Sequence, residues 1–266
     1  MKMFILFIGV LMGFQMSSEM AGAEPPVNIY EAILAESNQA TPEISTKQMQ
    51  EALADQKTMV FDTRSYKEYG IDHLPGAINA VSKSEVSKNI FDAAVARINR
   101  LTKGNKAAPI VLYCNGPVCG KSRKVAKLLV KRGFVDVRRY QLGIPIWRVL
   151  KVVTESNLEG VLYILKNDKT AVLIDARNAE AYHAGTIPGA RNIPLGSVTS
   201  SGKTGEIQNA KKDGRLPVED HNTRIIVFGH DAAQARALVE VLAKKASFHN
   251  VSYFSGSYGT LRDALN

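Results

Sequence analysis

Cys114-Asn115-Gly116-Pro117-Val118-Cys119-Gly120-Lys121-Ser122 lies between an apolar run, Pro109-Ile110-Val111-Leu112-Tyr113, and an amphipathic one, Ser122 to Lys131. A short β-branched apolar run of the first kind reads as a strand buried in a parallel sheet. In the second run Val125, Leu128 and Leu129 fall at i, i+3 and i+4, the spacing of a helix with one core face. A cysteine alone at a strand end is ordinarily a small buried hydrophobe. Here Gly116, Pro117 and Gly120 specify a sharply bent loop that presents its backbone. Loop N–H groups and the positive end of a helix dipole would then favour the sulfur anion. In such surroundings a thiol pKa falls from about 8.5 into the range of roughly 3.5–7.5, and the thiolate is the nucleophile. Lys121, Arg123, Lys124 and Lys127 follow and suit an anionic substrate.

Outward from this stretch, Gly133-Phe134-x-x-Val137 and Gly143-x-x-x-Trp147 come after it. Before it, Met59-Val60-Phe61 leads into Asp62-Thr63-Arg64, and His73-Leu74-Pro75-Gly76-Ala77-Ile78-Asn79 follows. Ser45 with Gln48 forms a capping box ahead of Met49 and Leu53, which starts a helix. Further helices are expected from Ser65 and over about Ser84 to Arg100, and a last strand near Val135–Tyr140. Short strands alternating with helices predict an α/β domain with a largely parallel sheet.

The pattern then recurs. Met59 to Val81 aligns without gaps on Val172 to Pro194, an offset of 113 residues, with identity at Asp62/Asp175, Arg64/Arg177, Tyr69/Tyr182, Pro75/Pro188, Gly76/Gly189, Ala77/Ala190 and Asn79/Asn192. Ile225–Phe228 matches the strand before Cys114, and Phe248-x-x-Val251 matches Phe134-x-x-Val137. That spacing is too long for a solenoid repeat and suits a duplicated domain.

These motifs together resemble the rhodanese family of sulfurtransferases, in tandem. The resemblance implies two rhodanese-like domains, each a small, largely parallel sheet flanked by helices, over residues 45–150 and 158–266. It implies that Cys114 is catalytic, taking a sulfane sulfur from an anionic donor such as thiosulfate as a persulfide. A thiophilic acceptor (cyanide, a thiol or a protein) then removes the sulfur. The expected substrate-binding residues are Asn115, Gly116, Pro117, Val118, Cys119, Gly120, Lys121 and Ser122. Asp62, Arg64, Asp175 and Arg177 are expected to be structural, each Arg fork stapling a loop. The second copy departs from the family pattern: Gly229-His230-Asp231 follows its strand, so a glycine stands where the cysteine should be, and Leu261 replaces Trp147.

Cys119 stays open between passive filler and a functional thiol that resolves a persulfide or pairs with Cys114. In an oxidising compartment such a bond is permitted. The alternatives to a sulfurtransferase are a non-enzymatic exported binding module and a Cys114/Cys119 dithiol redox protein. A C-x5-R phosphatase is disfavoured because Gly120 occupies the arginine position, and Lys121 is no equivalent for a planar bidentate donor. Gly202-Lys203-Thr204 lacks the glycine spacing and the strand of a P-loop.

Met1-Lys2, an apolar stretch to Phe14 and Ala21-Gly22-Ala23 predict a signal peptide over residues 1–23, cleaved after Ala23, and hence an exported, periplasmic protein. Residues 24–44 read as a lead-in, and Lys151–Asn157 as the polar join between domains. Net charge is +9 with acidic residues interleaved, so nucleic-acid binding is not expected, nor a membrane after signal cleavage. The His73, His183, His221, His230 and His249 side chains show no ligand spacing, so no metal and no cofactor are expected.

Overall fold

The computed structural model describes residues 28–83, 89–199 and 205–266. The signal stretch, the start of the lead-in, the helix start at Ser84 and Gly202-Lys203-Thr204 lie outside the described residues.

In the first half, four strands form a sheet of order β2-β1-β3-β4: β1 (Met59–Asp62), β2 (Ile78–Asn79), β3 (Ile110–Tyr113) and β4 (Val137–Tyr140). Every pairing is parallel. Along β3 the side chains alternate between two cores, as the twofold pleat requires. Ile110 and Leu112 pack with Phe61, Ile98, Val125 and Leu129, beneath helices α3 (Ile90–Leu101) and α4 (Lys121–Lys131). Val111 and Tyr113 face Met49 and Trp147, from α1 (Thr46–Ala54) and α5 (Gly143–Val149). The capping box at Ser45 is formed, and a second one at Ser65 opens α2 (Tyr66–Ile71).

The second half repeats the plan with five parallel strands in the order β5-β9-β8-β6-β7. These are β5 (Thr154–Ser156), β6 (Val172–Asp175), β7 (Arg191–Asn192), β8 (Ile225–Phe228) and β9 (Val251–Phe254). Its helices are α6 (Leu158–Asn167), α7 (Ala179–His183), α8 (Leu195–Thr199), α9 (Gly205–Lys212), α10 (Ala232–Ala246) and α11 (Tyr258–Leu265).

The lead-in and the expected join both carry edge pairing, for one physical reason. The supposed join at Lys151–Asn157 holds β5, which pairs with β9, and Val153 sits in the second core. In the first half the lead-in supplies the matching edge: Glu43 bridges Arg139 in parallel, and the Ile44 N–H donates to the Arg139 carbonyl at 2.8 Å. Short polar edge segments carry no hydrophobic period, so they read as linkers. At the start of the lead-in Ile29, Ile33 and Leu34 are exposed.

The recurring residues are explained by hydrogen bonds. The Asn79 amide donates to the carbonyls of Asp62 and Arg64, and Asn192 does the same for Asp175 and Arg177. The Tyr69 hydroxyl donates to the Ala77 carbonyl, and Tyr182 to Ala190. Each set ties the loop after the first strand to the next strand.

The halves meet along α2 and α6. Asn157 N–H donates to the Gly70 carbonyl at 3.0 Å, and His73 and Glu155 exchange both backbone hydrogen bonds at 2.8 Å. Among the described residues no helix is long and apolar enough to cross a membrane.

Candidate active site

Cys114 follows β3 directly, at the carboxyl end of an interior strand of the sheet, where open α/β sheets place their ligand sites. It is almost fully buried, at 2% exposure, and is joined by a disulfide to half-buried Cys119, with the Cα atoms 6.2 Å apart. The site is therefore seen in its oxidised form. The seven residues from Cys114 to Gly120 link β3 to α4.

One side chain clamps this loop. Gln141 Nε2 lies 3.4, 3.2 and 3.1 Å from the carbonyls of Gly116, Pro117 and Cys119. Its Oε1 accepts from Arg139 Nη1 at 2.9 Å and from the Ser122 hydroxyl at 3.3 Å. With the carbonyls held, the amides are left over. Among the described residues no hydrogen bond takes the N–H of Asn115, Gly116, Val118 or Gly120, nor of Lys121 and Ser122 at the start of α4. Helix α4 has no side-chain cap and no acidic residue in its first turn. Unpaired amides and an uncapped helix start favour an anion at this position.

Arg64 reaches the same loop. It is buried against both oxygens of Asp62 and the Asp72 carboxylate, and its Nη1 reaches Asn115 Oδ1 at 3.4 Å. Asp72 in turn pairs with Arg148. Asn115 also donates to Glu68, which lies 3.4 Å from Lys121 Nζ. Burial pushes the Glu68 carboxyl up, but hydrogen bonds from Ser65 and Asn115 and the Lys121 ammonium outweigh it and hold it down at about 2.

The structure sorts the expected binding residues. Pro117 and Val118 are exposed at the loop tip, Val118 at 95%. Ser122 is wholly buried and its hydroxyl is hydrogen-bonded to Gln141, so this side chain supports the loop. The basic run is largely engaged: Lys121 with Glu68, Arg123 with Glu36, and Lys124 over the Phe91 ring at 4.0 Å. A groove of about 810 Å³ opens beside Gly120, lined by Arg123, Lys124, Lys127 and Lys131 of α4 and by Gln39 of the lead-in.

Sequence reasoning missed Gln141, Glu68 and Glu36. Gln141 offered no signal in the sequence alone, because its place depends on strand register. Tyr113 pairs with Tyr140, so the next residues, Cys114 and Gln141, leave adjacent strands side by side.

The second half has no such loop. Only Gly229, His230 and Asp231 separate β8 from α10. Gln234 Oε1 accepts the His230 N–H at 2.8 Å, and a Cβ at Gly229 would come within 2.7 Å of that oxygen. His230 is exposed, and no thiol stands at this strand end. Arg177 binds Asp175 as Arg64 binds Asp62, but stacks over Tyr258 at 3.5 Å where Arg64 reaches Asn115.

The Rhodanese-like domain family matches residues 45–149 and 160–262. The chain belongs to the rhodanese-like family. Both halves are members, the second without the cysteine. Among curated relatives, the tRNA uridine(34) hydroxylase of Streptococcus pyogenes serotype M12 is 29% identical over 139 residues, 51% of this chain and 38% of the relative. That of Streptococcus agalactiae serotype III is 28% identical over the same length. The chain thus spans 38% of the length of these relatives. Among solved structures, the thiosulfate sulfurtransferase from Pseudomonas aeruginosa aligns at a TM-score of 0.33 and 18% identity, over 81% of this chain and 41% of that one. A rhodanese-like domain from Anabaena sp aligns at a TM-score of 0.33 and 19% identity, over 41% of this chain and 74% of that one.

Proposed function

We propose that the first rhodanese-like half is a sulfurtransferase acting through Cys114. Once its disulfide is reduced, the Cys114 thiolate attacks the outer sulfur of a small anionic donor such as thiosulfate. The donor's S–S bond breaks, sulfite leaves with the bonding pair, and the sulfane sulfur remains on Cys114 as a persulfide. A thiophilic acceptor (cyanide, a thiol or a protein thiol) then takes it. The observation that carries this reading is a cysteine at the end of an interior strand, in a loop whose carbonyls are clamped by Gln141 while the N–H groups of Asn115, Gly116, Val118 and Gly120 have no internal acceptor among the described residues. Preorganised amides of that kind stabilise a developing anion without reorganisation.

The similar Streptococcus proteins are named for a reaction on tRNA. Here Lys121, Arg123 and Lys124 are each engaged within the protein, which supports a small anion over a phosphate backbone. We also propose export, on the pattern of residues 1–23, and a disulfide persists more readily in an oxidising compartment.

The test is stoichiometric sulfite. Reduced protein, freed of reductant and mixed with thiosulfate, should release sulfite, and Cys114→Ser should release none while keeping the wild-type circular dichroism. A folded Cys114→Ser variant that still released sulfite would sink the assignment.

A further inference from the structure

The loop holds two sulfurs, and the proposed transfer uses only one. Cys119 is no distant thiol. Its Sγ is bonded to that of Cys114, and the 6.2 Å between Cα atoms lies inside the range of about 4.4–6.8 Å in which two cysteines meet without backbone movement. Its backbone is fixed on both sides, by the Cys119 N–H donating to the Gly116 carbonyl at 3.0 Å and by Gln141 donating to its own carbonyl at 3.1 Å. The loop therefore keeps Cys119 Sγ facing the inner sulfur, Cys114 Sγ. The outer sulfur of a persulfide would stand one bond beyond it.

We infer that Cys119 is a resolving thiol, so that the protein releases the accepted sulfur as sulfide and consumes a dithiol to reset itself. This inference rests on the persulfide reading above. The chemistry follows from which sulfur is attacked. Attack by the Cys119 thiolate on the outer sulfur would only move the persulfide from one cysteine to the other. Attack on the inner sulfur forms the Cys114–Cys119 bond, breaks the bond between the two persulfide sulfurs and expels the outer one. The electron pair of the broken bond leaves with that sulfur as hydrosulfide, and the Cys119 proton balances its charge. The sulfane sulfur is reduced by two electrons and the cysteine pair is oxidised by two. The product on the protein is the disulfide present in the structure.

Resetting needs an external dithiol, which is oxidised to its own disulfide. Exposure sets the direction of its attack: Cys119 is the half-buried partner and Cys114 the fully buried one. A reductant reaching Cys119 Sγ expels the Cys114 thiolate, the sulfur of the residue that directly follows β3. The leaving group is thus the nucleophile of the next cycle. The net reaction is thiosulfate plus a dithiol giving sulfite, sulfide and a disulfide. In a reaction sequence, this activity would feed a step that consumes sulfide.

The experiment uses the full chain, reduced, stripped of reductant and held without oxygen, then mixed with thiosulfate. Sulfite, sulfide and intact mass are followed together. The wild type should release sulfide equal to its sulfite and end as the disulfide, with no sulfur gained. Cys119→Ser should still release sulfite but lose the sulfide, and its mass should show one sulfur retained until a thiol is added. Cys119→Ala, with no hydroxyl, serves as a second variant and should behave alike. If the wild type releases sulfite yet keeps the sulfur with Cys119 free, resolution is overturned and the sulfurtransferase reading stands. If the Cys119 variants release sulfide at the wild-type rate, resolution is also overturned. If no protein releases sulfite, the sulfurtransferase reading fails and this inference with it.

Discussion

Glu68 is the residue on which the loop's pH response turns. Its carboxylate receives Asn115 from the Cys114 loop, Ser65 from its own cap and the Lys121 ammonium from α4. Because its pKa falls from 4.5 to about 2 on folding, it contributes stability that is fully present above the ordinary carboxyl range. That contribution is lost as pH falls from about 4.5 toward 2. Titration of Glu68 by NMR should show a midpoint near 2, and Glu68→Gln should abolish the chemical-shift change of the Asn115 amide in that window. A midpoint at the ordinary 4.5 would mean that the tether to Asn115 is not made in solution. None of this was legible in the sequence. There a helix is read from Ser65 with nothing assigned to Glu68, whose tie to the Cys114 loop depends on a residue 47 positions later.

At the scale of elements, the junction of β3, its loop and α5 is set by close backbone approach. Gly143 sits at φ +64°, and a Cβ there would press on the Cys114 carbonyl oxygen and the Gly116 nitrogen. Gly143→Ala should therefore cost about 1–3 kcal/mol from overpacking and a strained backbone. It should also slow sulfite release, because the loop must move away from Gln141. Urea denaturation and the sulfite assay check the two effects separately. Wild-type behaviour in both would show that α5 does not fix the loop. The strands themselves were readable, since Ile110–Tyr113 is buried on both faces and so is apolar throughout. Gln141 was not. Its value lies in the register of β3 with β4, and register is a property of two strands rather than of either one.

At the scale of the whole molecule, the second half is a packing partner built on the same plan. Helices α2 and α6 approach so closely that a Cβ on Gly160 would overlap the Gly70 carbonyl, and Ser156 donates to the Ile71 carbonyl at 2.7 Å. Gly160→Ala should force the halves apart at a cost of about 1–3 kcal/mol. For a chain of this size that corresponds to a drop in Tm of roughly 2–4 °C per kcal/mol. An unchanged thermal transition would show that the crossing is looser than the structure has it. Glu155 adds a charged element at the same seam, its carboxylate meeting the Tyr253 hydroxyl at 2.7 Å and His73 at 3.5 Å. Burial raises its pKa, but the hydrogen bonds from His73 and Tyr253 outweigh this and leave it lowered.

The sequence by itself determined what depends on neighbours in the chain: the apolar strands, the capping box at Ser45, the helix start at Ser65, the 113-residue duplication and the loss of the thiol at Gly229. Hydrophobic period and capping chemistry act over a few residues, so a linear reading captures them. Only the tertiary structure decided that Cys119 lies against Cys114, that Gln141 holds the loop, that Glu36 of the lead-in engages Arg123 and that Gly70 meets Gly160. Most of these contacts join residues far apart in sequence. Gln141 reaches the loop through the parallel register of β3 and β4, Cys119 through the fold of the loop itself, and Gly70 meets Gly160 through the packing of α2 on α6, none of which a local period encodes.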